Sequence, residues 1–149
     1  MRLDGGGVVS LDSANLYSAI FFACTLAVGV FAVWCGGRPE RLGAGLVFLG
    51  WLSSVMLDVA FGTAEPTSLF LAIDFLMLVG FAVIFFRYDR LWAGVAACFA
   101  ALLLAFEGSR LLNFPLSYGA YVTALNISSY GALAALAFGT WAHRRRPAG

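Results

Sequence analysis

Four ionisable residues stand inside otherwise apolar stretches of this chain: Asp58, Asp74, Glu107 and Arg110. At the centre of a lipid-embedded helix such a group costs on the order of 2.5–3.5 kcal/mol on insertion scales, so each needs a partner, water or a proton. Glu107 and Arg110 are three residues apart and share a helical face. Tyr121 and Asn126 add a phenol and an amide further along the chain. Two chemistries fit this set. In one, Arg110 neutralises one or two acids, and Tyr121 and Asn126 hydrogen-bond to the rest, locking helices together. In the other, three acids outnumber one arginine and line an outward-open pocket for a cation or a proton.

Other chemistry is missing from the sequence. No Ser–His or Cys–His pair assembles within one leaflet, so no catalytic residue is assigned and a non-enzymatic protein is expected. Cys24, Cys35 and Cys98 lack paired metal-ligand spacing, and no metal site is expected. Cys24 and Cys98 fall in apolar runs, where a free thiol acts as a small hydrophobe. His143 adjoins the final arginine run and reads as a headgroup-facing residue. Asn126-Ile127-Ser128 matches a glycosylation sequon but lies within an apolar stretch. A net charge of +1 gives no electrostatic case for nucleic acid. No motif names a cofactor.

The elements that must position these groups are helices in a bilayer. Hydrophobic residues make up 62% of the chain and charged residues 11%, against about 25% charged in soluble domains. Candidate spans cover residues 14–35, 42–62, 67–86, 91–112 and 115–141; about 20 residues cross ~30 Å of hydrocarbon. Breakers separate them: Gly36-Gly37 before Pro39, then Pro66, then Pro115, each proline suited to the first turn of the next helix. The expected organisation is a flexible periplasmic tail over 1–13, a transmembrane five-helix domain over 14–142 and a basic cytoplasmic tail over 143–149.

Arginine placement sets the orientation. Arg38, Arg41, Arg87, Arg90, Arg144, Arg145 and Arg146 flank one side, while Arg2 and Arg110 flank the other. That bias predicts an outside N-terminus and a cytoplasmic C-terminus. Trp34, Tyr88, Trp92 and Trp141 mark the inner interface, and Tyr17, Tyr118 and Tyr121 the outer one. Buried polarity then concentrates in the outer half, with an inner half that is nearly all apolar.

The two arginine-bearing loops resemble each other. Arg38-Pro39-Glu40-Arg41-Leu42-Gly43-Ala44-Gly45 aligns with Arg87-Tyr88-Asp89-Arg90-Leu91-Trp92-Ala93-Gly94, and the same offset carries Asp58 onto Glu107. Helices 1–2 and 3–4 therefore read as two copies of one hairpin with a fifth helix added, related by an axis along the membrane normal. Convergence on arginine-rich loops is the plainer alternative. Ala93, Ala97, Ala101 and Ala105, and Gly131, Ala135 and Gly139, form small-residue stripes suited to close helix approach.

These loop segments, together with Tyr118-Gly119-Ala120-Tyr121-Val122-Thr123-Ala124, resemble an uncharacterised family of small multi-pass inner-membrane proteins of alphaproteobacteria. The resemblance implies a bacterial inner membrane and supplies no activity to carry over. Where those relatives favour histidine this chain carries Glu107. The expected fold is all-α, an integral membrane bundle of five helices. The expected role is that of an accessory or scaffolding subunit, with a protein partner or a second copy held through small-residue faces. The alternative is a small oligomeric transporter or channel that uses the acidic cluster.

Overall fold

The computed structural model describes residues 7–61, 67–112 and 117–145; within these, the side chains of residues 7–18, Asp58, Thr67, Arg110, Leu111 and Tyr118 lie outside the described set. All regular structure among the described residues is helical: α1 (Gly7–Cys35), α2 (Arg38–Phe61), α3 (Thr67–Tyr88), α4 (Leu91–Leu111) and α5 (Tyr118–Arg144). Four of these helices are long and apolar enough to cross a bilayer, while the described apolar segment of α1, Ala19–Cys35, is shorter.

Local chemistry explains the helix ends. α1 extends back to Gly7, into the expected flexible tail, because no glycine or proline interrupts residues 8–28. α2 starts at Arg38, earlier than expected: Pro39 occupies its first turn, and the Glu40 carboxylate accepts the Gly37 N–H at 2.9 Å. Ser117 caps α5, its hydroxyl accepting the Ala120 N–H at 3.3 Å. α5 runs on to Arg144, past the expected end of its span, and Arg145 places its guanidinium 4.0 Å above the Trp141 ring. Pro66 and Pro115 lie outside the described residues.

The helices pack in chain order around a ring, and α5 closes it by lying between α4 and α1. α4 packs most extensively, against α3 on one side and α5 on the other; α2 also touches α5. One end of the ring gathers the two arginine-bearing loops and the end of α5, and is called here the arginine end. The other, the acidic end, gathers the ends of α2 and α4 with the starts of α3 and α5.

The two loops turn at different points of their shared motif. In the first, Gly36-Gly37 make the turn before the motif, and α2 begins on its first arginine. In the second, α3 runs through Arg87 and Tyr88, and the turn falls on Asp89 at φ 50°. Without a glycine there, an aspartate takes the left-handed position. The hairpins also differ in neighbours. α2 packs on α3, but the symmetry-equivalent contact of α4 with α1 is at most marginal among the described residues, since α5 fills that place.

The buried apolar core lies toward the arginine end and is mostly small: Ala32, Ala44, Ala93, Ala96, Ala132 and Ala135 pack around Phe81, Trp92 and Leu136. Phe81 meets Trp92 edge to face, centroids 6.5 Å apart. The packed face of α4 is Ala93, Ala96 and Ala100, whereas Ala101 and Ala105 are exposed. Within the chain only part of the four-residue alanine stripe is packed, for a geometric reason. At 3.6 residues per turn, strict steps of four drift by about 40° each, so only part of such a stripe stays on one contact. Gly131, Ala135 and Gly139 do face the bundle; a Cβ on Gly131 would sit 2.5 Å from the Phe99 ring. Outside, large apolar side chains are widely exposed, among them Trp34, Phe86, Leu91 and Val59. An apolar exterior of this extent is compatible with a hydrocarbon surround.

Candidate functional site

The acidic end holds part of the polar set that the sequence singles out. Glu107 on α4 is buried and accepts a hydrogen bond from the hydroxyl of Tyr121 on α5. The chain brings them together because both lie about one turn from the ends of helices packed side by side. Asp74, half-buried on α3, faces inward. It lines a cavity of about 230 Å³ to which all five helices contribute, with Ser54, Ser129, Trp51 and Phe21 among its walls. That volume exceeds several waters at ~30 Å³ each. The Ser54 hydroxyl donates to the Gly50 carbonyl at 3.0 Å. Asp74 lies within electrostatic range of Glu107, and it forms no hydrogen bond or ion pair with the described residues.

Other members of the expected cluster fall elsewhere. Asn126 is exposed on the outer face of α5, as are Gly119 and Thr123, which with Tyr130 share its helical stripe. The stripe turns outward because α5 lies between α4 and α1 and presents Ser128, Ala132, Ala135 and Thr140 to the interior instead. Tyr130, the last member, is half-buried and meets Phe21 edge to face at 5.3 Å. The side chains of Asp58 and Arg110, and with them the expected Arg110 ion pairs, lie outside the described residues.

The arginine end contains a polar group that the sequence reading did not single out. Glu40 on α2 is 0% exposed. Its carboxylate accepts the Gly37 N–H at 2.9 Å and the indole N–H of Trp92 at 3.2 Å, and pairs with Arg90 Nε at 3.8 Å. His143 closes the arrangement from α5. A Cβ placed on Gly37 would meet His143 Cε1 at 3.0 Å and Glu40 Oε2 at 3.1 Å, so the imidazole and the carboxylate flank one glycine. His143 therefore packs inward, contrary to its expected headgroup-facing position, because α5 runs on through Arg144 and carries it over the first loop. Its Nδ1 and the Arg90 Nε are buried without a hydrogen bond. The arginine half of the bundle is thus not purely apolar, and Glu40 is its polar centre.

Trp92 reaches Glu40 through a slot between two glycines. A Cβ on Gly43 would lie 2.6 Å from the indole Cη2, and one on Gly139 would lie 2.3 Å from Cδ1 and Cγ. Gly43 and Trp92 occupy the same position of the repeated motif. The bulk added in one loop therefore fills the space left in the other. That exchange, a glycine against a tryptophan in otherwise matched segments, was the sequence signal available for this contact. The matched acids diverge too: Glu40 is buried while Asp89 is exposed.

Among the described residues no group of His, Cys, Asp or Glu is arranged to hold a metal ion. Comparison of the chain with protein-family models, curated proteins and solved structures finds no match.

Proposed function

We propose that this chain is a five-span protein of a bacterial inner membrane, N-terminus periplasmic and C-terminus cytoplasmic, acting as a non-enzymatic accessory or scaffolding subunit. The observation that carries the reading is Asn126, exposed with Thr123 on the outer face of α5. Asn126 is eight residues from the start of α5, about 12 Å along a helix whose 27 residues rise about 40 Å. Centred on ~30 Å of hydrocarbon, it stands roughly 7 Å inside the apolar layer. An amide facing lipid at that depth is satisfied by a hydrogen bond from another helix, worth about 0.6–2 kcal/mol in membranes. Among the described residues that side of α5 has no neighbour, so the partner in this reading is a second chain.

The test is cross-linking in native membranes. In a chain with Cys24, Cys35 and Cys98 replaced by alanine, Asn126→Cys should form a defined adduct with a second copy or another membrane protein. Purification in mild detergent should return the same partner, and Asn126→Leu should weaken its retention. A monomer in mild detergent, with no adduct at position 126, overturns the reading.

One observation favours the second reading, a small transporter or channel with a cation or proton site. Asp74 faces a cavity shared by all five helices, within electrostatic range of a second carboxyl. A cation-dependent rise in melting temperature that Asp74→Asn abolishes is the expected result. Equal melting of both proteins in sodium, potassium and choline salts, and across pH, overturns it.

A further inference from the structure

On the outer face of the bundle, α1 and α2 diverge over a groove of about 440 Å³ whose walls include Val30, Val33, Gly29 and Gly45, with Trp34 and Arg41 at its arginine-end rim. A Cβ on Gly29 or on Gly45 would meet no atom within 4 Å, so the groove floor is open along both helices. We propose that this groove binds one anionic phospholipid of the arginine-side leaflet, its phosphate at Arg41 and one acyl chain laid over Gly29 and Gly45. The inference rests on the reading that the chain spans a membrane.

Three features select a lipid chain over a partner helix. The first is depth. The groove runs along α1 from Trp34 to Thr25, nine residues or about 13.5 Å, close to half of a ~30 Å hydrocarbon layer. One turn beyond, Phe22 stacks on Trp51 with centroids 4.8 Å apart, and Phe48 packs on the same indole at 6.3 Å. These rings stop the groove near the bilayer midplane. A transmembrane helix needs a trough through both leaflets, whereas an acyl chain needs one.

The second feature is charge. Arg41 is exposed and has no ion pair among the described residues. Arg38, at the start of the same helix, is exposed as well. A guanidinium at headgroup level offers forked donors to a phosphate. The third is Trp34, 82% exposed at the rim, a side chain suited to the water–lipid boundary. The groove between α2 and α3 supplies the contrast. It is lined by Leu52, Met56, Leu57 and Leu76 among others, with no cation, and so lacks the means to choose a headgroup.

The experiment uses the full chain purified from membranes. Native mass spectrometry and thermal melting are followed while phosphatidylglycerol or phosphatidylcholine is titrated into the detergent micelles. Wild type should retain one phosphatidylglycerol and melt higher with it than with phosphatidylcholine. Arg41→Gln should weaken phosphatidylglycerol binding by about tenfold, the loss of one charge-assisted contact, while Arg87→Gln, an exposed arginine outside the groove, should leave it unchanged. Gly45→Leu, or Gly29→Leu should the first fold poorly, should abolish retention with the lipid-free melting temperature unchanged. Equal response of wild type to the two lipids overturns the proposal, as does undiminished binding in both leucine variants. A Gly45→Cys probe that cross-links in membranes to a protein also overturns it, in favour of a partner helix. Release of the chain by alkaline carbonate would instead overturn the membrane-spanning reading itself.

Discussion

Removing the Glu40 carboxylate is the most demanding test of the arginine-end cluster. Glu40→Ala deletes the acceptor of the Gly37 and Trp92 N–H groups and the counter-charge of Arg90. A buried donor left unpaired costs about 1–3 kcal/mol, and breaking a buried ion pair costs about 3–5 kcal/mol. The Arg90 side chain keeps 20% exposure, so it can turn toward water and its share is discounted. The Gly37 N–H is only part-buried and can be rehydrated. The net expectation is a loss of about 3 kcal/mol, most of it from Trp92 Nε1 and Arg90. Glu40→Gln retains an acceptor oxygen and should lose about half as much. The sign of a second pair of variants is sharper. Arg90→Ala leaves a carboxylate with 0% exposure and no counter-charge. Adding Glu40→Gln in that background should restore about 1–2 kcal/mol, a non-additivity that only directly coupled groups produce. Reversible unfolding in mixed micelles, titrated with a denaturing detergent, measures both. Stability of Glu40→Ala within about 0.5 kcal/mol of wild type, or further loss when Glu40→Gln is added to Arg90→Ala, would refute the reasoning.

Three other outcomes follow from the same structure. Tyr121→Phe removes a hydroxyl donor from buried Glu107 and should destabilise by about 1–3 kcal/mol, read by the same titration; no change would show that the carboxyl is solvated without it. Gly139→Ala drives a Cβ into the Trp92 indole, whereas Gly29→Ala meets open space, so the first should lose about 1–3 kcal/mol and the second should match wild type or gain up to about 1 kcal/mol from helix propensity. The arginine bias predicts that a C-terminal alkaline phosphatase fusion is inactive and a fluorescent-protein fusion bright in a bacterial host; the reverse pattern would invert the topology.

The sequence by itself determined the all-helical architecture and nearly all helix positions. Runs of apolar residues near bilayer length, broken by Gly36-Gly37, Pro39, Pro66 and Pro115, are local signals that need no knowledge of neighbours. It also determined that Glu107 and Tyr121 belong near one end, because each lies near a helix terminus there. Which face of each helix turns inward is another matter. A helix that is apolar all round carries almost no amphipathic stripe to read, so the sequence places Asn126 with the interior acids, whereas the packing of α5 between α4 and α1 turns it outward. Which alanines of α4 pack within the chain was unreadable for the related reason that a four-residue period and a 3.6-residue turn part company within a few steps. The Glu40 cluster was hidden because its members, Gly37, Glu40, Arg90, Trp92 and His143, come from three separate segments and meet only when the ring closes. Local text marked Glu40 and Asp89 as equivalent acids in arginine-rich loops. Only the tertiary contact, an indole seated between Gly43 and Gly139, buried one of them and left the other in solvent.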